Sequence, residues 1–165
     1  MPQCRCAVPY GNKKMISTLI PPPVVVAIFG LLMWMAARSL AWGQFAFPLQ
    51  ATVAIVLLIA GLLLMAVAVA AFIAAKTTVN PLKPSRATSL VTTGVFGISR
   101  NPIYLGDLLV LSALAVWLGN VFNLLLLALF IGYINRFQII PEERALAALF
   151  GERYIAYCAR VRRWL

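Results

Sequence analysis

Between Leu49 and Ala75 the chain carries no charge, and its only polar side chains are Gln50 and Thr52 near the start. At about 1.5 Å per residue, a helix of that length exceeds the roughly 30 Å hydrocarbon core of a bilayer, so it is expected to cross at a tilt. The chain as a whole agrees. Of 165 residues, 63% are hydrophobic and 11% charged, against roughly 45–50% and 25% in soluble domains. A soluble fold of this size has no interior large enough for so much apolar surface. The expected class is all-α: one integral membrane domain spanning residues 1–165.

Other segments follow the same logic. Residues 22–42 form a shorter candidate span, entered through Pro21, Pro22 and Pro23, where a missing N–H costs least. Arg38 snorkels and Trp42 sits at the interface. Lys13 and Lys14 ahead of an apolar stretch also suit a cleaved signal, but the prolines and the long tail before them weigh against it. After residues 49–75 comes a polar connection, Lys76 to Asn101. Residues 103–118 and 121–138 then read as a helical hairpin turning at Gly119-Asn120, with Pro141 stopping its second arm. The final part, 139–165, is expected to be cytoplasmic, with Glu142–Arg160 one basic amphipathic helix. That makes about four spans.

Charge sets the orientation. The 14 Lys and Arg residues outnumber four acids and flank the apolar segments instead of forming one patch, which fits anionic headgroups better than nucleic acid. Four spans place residues 1–20, the 76–101 connection and the C-terminal part on one side, leaving only Arg38 on the other. Both termini are therefore expected in the cytoplasm. There Cys4, Cys6 and Cys158 would be reduced thiols, without metal-ligand spacing. Histidine is absent, which removes imidazole metal ligands and Ser–His or Cys–His catalysis.

The polar residues inside this apolar frame are clustered. Ser99-Arg100-Asn101-Pro102-Ile103-Tyr104-Leu105-Gly106-Asp107 lies at one cytoplasmic end of the hairpin, and Asn135, Arg136, Gln138, Glu142 and Glu143 lie at the other. A hairpin brings these ends together. Each feature has an ordinary explanation: Asn101-Pro102 starts a helix, Glu142-Glu143 suits a helix N-terminus, and Tyr154 and Tyr157 suit an interface. Asp107, an acid within a span, is less ordinary. Carboxylates and amides together favour a cationic or amine-bearing ligand, with Arg100 or Arg136 available to a carboxylate or phosphate. Lacking histidine, the site suits a pre-activated donor and a nucleophilic acceptor that need mainly positioning.

Gly94-Val95-Phe96-Gly97-Ile98-Ser99-Arg100-Asn101-Pro102-Ile103-Tyr104-Leu105-Gly106, then Pro141-Glu142-Glu143, then Phe150-Gly151-Glu152-x-Tyr154-x-x-Tyr157-x-x-Arg160-Val161-x-Arg163-Trp164, resembles the isoprenylcysteine carboxyl methyltransferase family and its bacterial relatives among the membrane phospholipid methyltransferases. The resemblance covers about Thr93–Leu165. It implies a multi-span helical enzyme in a bacterial inner membrane that uses S-adenosylmethionine to methylate a lipophilic acceptor from the bilayer, an isoprenylcysteine carboxylate or a lipid. It also implies catalytic roles for Arg100, Tyr104 and Glu142. Asn101, Pro102, Tyr104, Gly106, Glu142 and Glu143 would bind the cofactor, and Arg136, Arg160 and Arg163 would meet acceptor or headgroups. Asn101 stands where the family pattern has histidine, so a titrating role at that position is lost. Two other readings stay open: an NADPH-dependent enzyme resembling sterol reductases, and a small membrane scaffold or transporter.

Overall fold

The computed structural model describes residues 20–40, 42–75 and 89–165. Cys4, Cys6, Lys13, Lys14, Lys76, Lys83 and Arg86 lie outside the described residues. Six α-helices follow in order: α1 (Pro22–Ser39), α2 (Gln50–Ala74), α3 (Pro102–Leu118), α4 (Phe122–Ile134), α5 (Ile140–Phe150) and α6 (Glu152–Arg160). No strand occurs among the described residues. The fold is the expected all-α membrane bundle. Helices α1, α2 and the continuous run Phe122–Phe150 are long and apolar enough to cross a membrane, and α3 is a shorter apolar helix.

Helix α2 shows how such a bundle holds together when lipid removes the hydrophobic drive between helices. Its buried residues are Ala54, Gly61 and Ala68, one heptad apart, and its large side chains, such as Val56, Leu62 and Leu63, face outward. Small residues let backbones approach closely and gain van der Waals contact. The approach is tight at Gly61. A Cβ there would lie 2.8 Å from the Gly106 carbonyl oxygen, and one on Gly106 would lie 2.4 Å from Met65 Cγ. Helices α1, α3 and α4 enclose the main core, where Met33, Leu111, Phe130 and Ile134 are buried and Phe29 meets Phe130 edge-on at 5.4 Å.

The end of the bundle carrying Arg38 is closed by the α1–α2 loop and the hairpin turn. Phe45 N donates to the Gly119 carbonyl at 2.8 Å and Val121 N to the Gly43 carbonyl at 2.9 Å. Asn120 is 1% exposed; its Nδ2 donates to the Leu40 carbonyl at 2.9 Å and its Oδ1 accepts from Phe122 N at 3.0 Å. Asn120→Ala strips partners from two backbone groups in a dry setting. It should cost about 1–3 kcal/mol, read as a lower unfolding midpoint in detergent; an unchanged midpoint would show that the turn holds without the amide.

Three helix boundaries differ from the sequence expectation. The first helix ends at Ser39, and Trp42 lies beyond it, packed edge-on against Phe122 at 4.5 Å. Pro141 does not stop the hairpin. The chain passes through one π-turn, Asn135–Ile139, and continues as α5 to Phe150. Proline lacks the N–H that would bond the carbonyl four residues back, and its ring crowds that carbonyl; a widened turn before Pro141 relieves both. The amphipathic stretch Glu142–Arg160 is two helices, broken at Gly151, where φ is 53° and ψ −128°, a conformation open to glycine and strained for other residues. The break turns Tyr154, Tyr157 and Val161 into a second small core with Leu90, Leu146 and Phe150.

Candidate active site at one end of the hairpin

At the end of the bundle opposite Arg38, three pieces of chain meet: the entry to α3, the junction of the π-turn with α5, and the C-terminal residues after α6. Pro102 occupies the first turn of α3, where proline fits, and Asn101 is the residue before the helix. From that start Tyr104 projects inward, 5% exposed, and its hydroxyl donates to Glu142 Oε2 at 3.1 Å. Glu142 and Glu143 stand in the first turn of α5, where the helix dipole favours negative charge.

The two glutamates have different surroundings. Glu143 is neutralised by two guanidinium groups. Arg100 Nη2 lies 3.2 Å from its Oε1, and Arg163 clasps both oxygens, Nε at 3.0 Å and Nη2 at 2.6 Å. Its side chain is 13% exposed, that of Arg100 only 9%. Arg100 also reaches the Cys158 thiol on α6. Glu142 is held instead by the neutral phenol of Tyr104 and pairs with no basic side chain among the described residues. Asp107, one helical turn further along α3, is also buried and pairs with no basic side chain among the described residues.

The C-terminal residues form a strap over this site. Arg100 N donates to the Arg162 carbonyl at 3.0 Å. Ser99 Oγ and Asn101 Nδ2 both reach the Arg163 carbonyl, at 3.3 and 3.0 Å, and Trp164 Nε1 donates to Asn135 Oδ1 at 3.3 Å. Asn101 therefore uses its amide to fasten the strap and does not cap α3. An imidazole N–H could donate in the same sense, so the amide is a workable substitute for histidine there. Tyr157 donates to the Phe96 carbonyl at 2.6 Å, and burial pushes its phenol up to about 12. Burial also raises Tyr154 above the ordinary phenol range, helped by the Glu143 charge. Both tyrosines stay protonated at neutral pH and serve as fixed packing and hydrogen-bonding groups.

Of the residues singled out from the sequence, Arg100, Asn101, Tyr104, Glu142, Glu143 and Arg163 are brought together here. Pro102 is buried at the start of α3 beside them. Gly106 faces α2, against Gly61 and Met65. Arg136 and Arg160 are exposed and join none of these contacts. Trp164 lies in the strap and Ser99 bonds to it, and residue type alone marks neither role, because their partners are a distant asparagine and a backbone carbonyl.

The phospholipid methyltransferase family model matches residues 49–153, well over half of the chain. The chain belongs to that family. Membership makes it a membrane methyltransferase in general terms, and the matched region contains Arg100, Tyr104, Glu142 and Glu143. An uncharacterised protein of Haemophilus influenzae is 48% identical over 63 residues, which is 38% of this chain and all of the relative. No solved structure matches.

Proposed function

We propose that this protein transfers a methyl group from S-adenosylmethionine to a lipophilic acceptor, an isoprenylcysteine-type carboxylate or a lipid, at the cytoplasmic face of a bacterial inner membrane, with both termini in the cytoplasm. The observation that carries this reading is the contrast between the two glutamates. Glu143 is spent on Arg100 and Arg163, whereas the Glu142 carboxyl has the neutral phenol of Tyr104 and no basic side chain among the described residues. A cationic group suits such a carboxyl, and the residues present fit S-adenosylmethionine, with Glu142 for its ammonium. When bound, the cofactor supplies a methyl group already activated on a positively charged sulfur.

The protein's own residues then have positioning tasks. Tyr104 fixes the rotamer of Glu142 so that the carboxylate meets the ligand without reorganising. The Arg100–Glu143–Arg163 network pins the strap beside the two glutamates. The apolar flanks of the hairpin leave an approach from the bilayer. Because the donor is pre-activated, alignment and desolvation do most of the work. The arginine-rich end faces the cytoplasm by the positive-inside rule.

Binding of S-adenosylhomocysteine to the purified protein in detergent tests the reading. Wild type should bind saturably. Glu142→Ala and Tyr104→Phe should weaken binding by about ten- to a hundredfold and severalfold respectively, the range for charged and neutral hydrogen bonds. A folded wild type that binds neither S-adenosylhomocysteine nor S-adenosylmethionine, with NADPH assayed alongside, would overturn it.

A further inference from the structure

Gln138 is a buried polar group outside the Tyr104–Glu142 and Arg100–Glu143–Arg163 contacts. It lies one turn before Glu142, and residues four apart share a helix face. It is 1% exposed. Its Nε2 donates to the Ile20 carbonyl, just ahead of α1, at 2.8 Å. A carbonyl can only accept, so this contact fixes which end of the amide is nitrogen. The other end, Oε1, is then a buried acceptor that meets no donor among the described residues. Leaving such a group empty is costly, and buried polar atoms in this state are filled by water or a ligand.

Its placement is not incidental to the helix. Gln138 sits within the π-turn Asn135–Ile139, and such turns occur frequently at functional sites because they redirect a side chain. The neighbouring groups are also acceptors. Glu142 bonds Tyr104, and Asp107 lies one turn along α3 from that tyrosine. Three of the donors at this end are committed: Arg163 to Glu143, Asn101 to the Arg163 carbonyl, Trp164 to Asn135. Among the described residues no donor reaches Gln138 Oε1, and a bound molecule can supply one.

We propose that Gln138 is a further binding residue of the methyl-transfer site, its side-chain carbonyl accepting a hydrogen bond from an N–H group of the bound molecules. This rests on the methyltransferase reading and deepens it. The N–H belongs either to the cofactor, through its ammonium or adenine amino group, or to an amine on the methyl acceptor. The Nε2 bond to Ile20 holds the amide in one orientation, so the site presents a carbonyl and never an NH2 to that position.

Two substitutions separate binding from a purely structural tie. Q138M loses the donor to Ile20, and so does Q138E in its ionised form, so with the measurements made at alkaline pH a structural role lowers stability and affinity alike in both. Q138E keeps an acceptor oxygen; Q138M does not. The measurements are S-adenosylhomocysteine affinity, and transfer of labelled methyl from S-adenosylmethionine into a total bacterial lipid extract. Q138M should lose about tenfold in affinity, or, if the N–H is the acceptor's, keep its affinity and lose about tenfold in labelling. Q138E should hold or tighten binding. The proposal is overturned if Q138M matches wild type in both measurements or if Q138E falls with it. Where Q138M does not fold, Q138E alone decides, since loss of binding there contradicts an acceptor role. Failure of wild type to bind S-adenosylhomocysteine is a different result and removes the methyltransferase reading itself.

Discussion

Glu143→Ala should release the C-terminal strap. The carboxylate is the shared partner of Arg100 and Arg163, and the two contributions are unequal. Arg163 is about one-third exposed (34%), so its pairing is screened by solvent and contributes little, within the 0–1 kcal/mol typical of surface pairs. The Arg100 side chain is 9% exposed, and removing one partner of a buried ion pair typically costs about 3–5 kcal/mol. The strain is relieved most cheaply by letting Arg100 reach water, which means lifting residues 161–165 off Ser99, Arg100 and Asn101. Trypsin should then cut after Arg160, Arg162 or Arg163 much faster than in wild type. Arg163→Ala should show only a small increase. Glu143→Gln keeps hydrogen-bond acceptance and should fall between. Equal cleavage of Glu143→Ala and wild type would mean that Trp164 and the backbone bonds hold the strap unaided.

The part of this architecture visible in the sequence is the part written in apolar length and side-chain type. Leu49–Ala75 could be nothing but a span, and Gly119-Asn120 was the one break available to a hairpin. Tyr104 and Glu142 meet because a hairpin makes its two ends neighbours. The rest depends on interactions that leave no such trace. The π-turn arises from a conflict between Pro141 and the carbonyls of the preceding turn, and proline reads equally well as a stop. The break at Gly151 depends on where Tyr154 and Tyr157 find a surface, which is settled by tertiary packing. The strap is fastened through the carbonyls of Arg162 and Arg163, and every residue has a carbonyl. The seam Ala54, Gly61 and Ala68 could have been seen as a heptad of small residues, but it lies in a run where almost everything is apolar.

Gly106→Leu is the second large effect, and it distinguishes two roles for one residue. The family resemblance implies a cofactor-binding role for Gly106, while its surroundings are those of a helix contact. A Cβ on Gly106 would come within 2.4 Å of Met65 Cγ and 2.9 Å of the Gly61 carbonyl oxygen. The methionine can move aside, but the carbonyl belongs to a helix backbone and cannot. Leucine there should force α2 and α3 apart, costing about 3 kcal/mol or more, the upper end for overpacking, with a correspondingly lower unfolding midpoint in detergent. Gly61→Ala approaches the same contact from the other helix, its Cβ 2.8 Å from the Gly106 oxygen, and should also destabilise. Met65→Ala combined with Gly106→Ala should recover part of the loss by making room for the new methyl. The decisive comparison is S-adenosylhomocysteine affinity in the folded fraction of Gly106→Ala and Gly61→Ala. If packing is the whole role, both keep wild-type affinity at reduced stability. A loss of affinity confined to Gly106→Ala would show that the same missing side chain also makes space for the ligand.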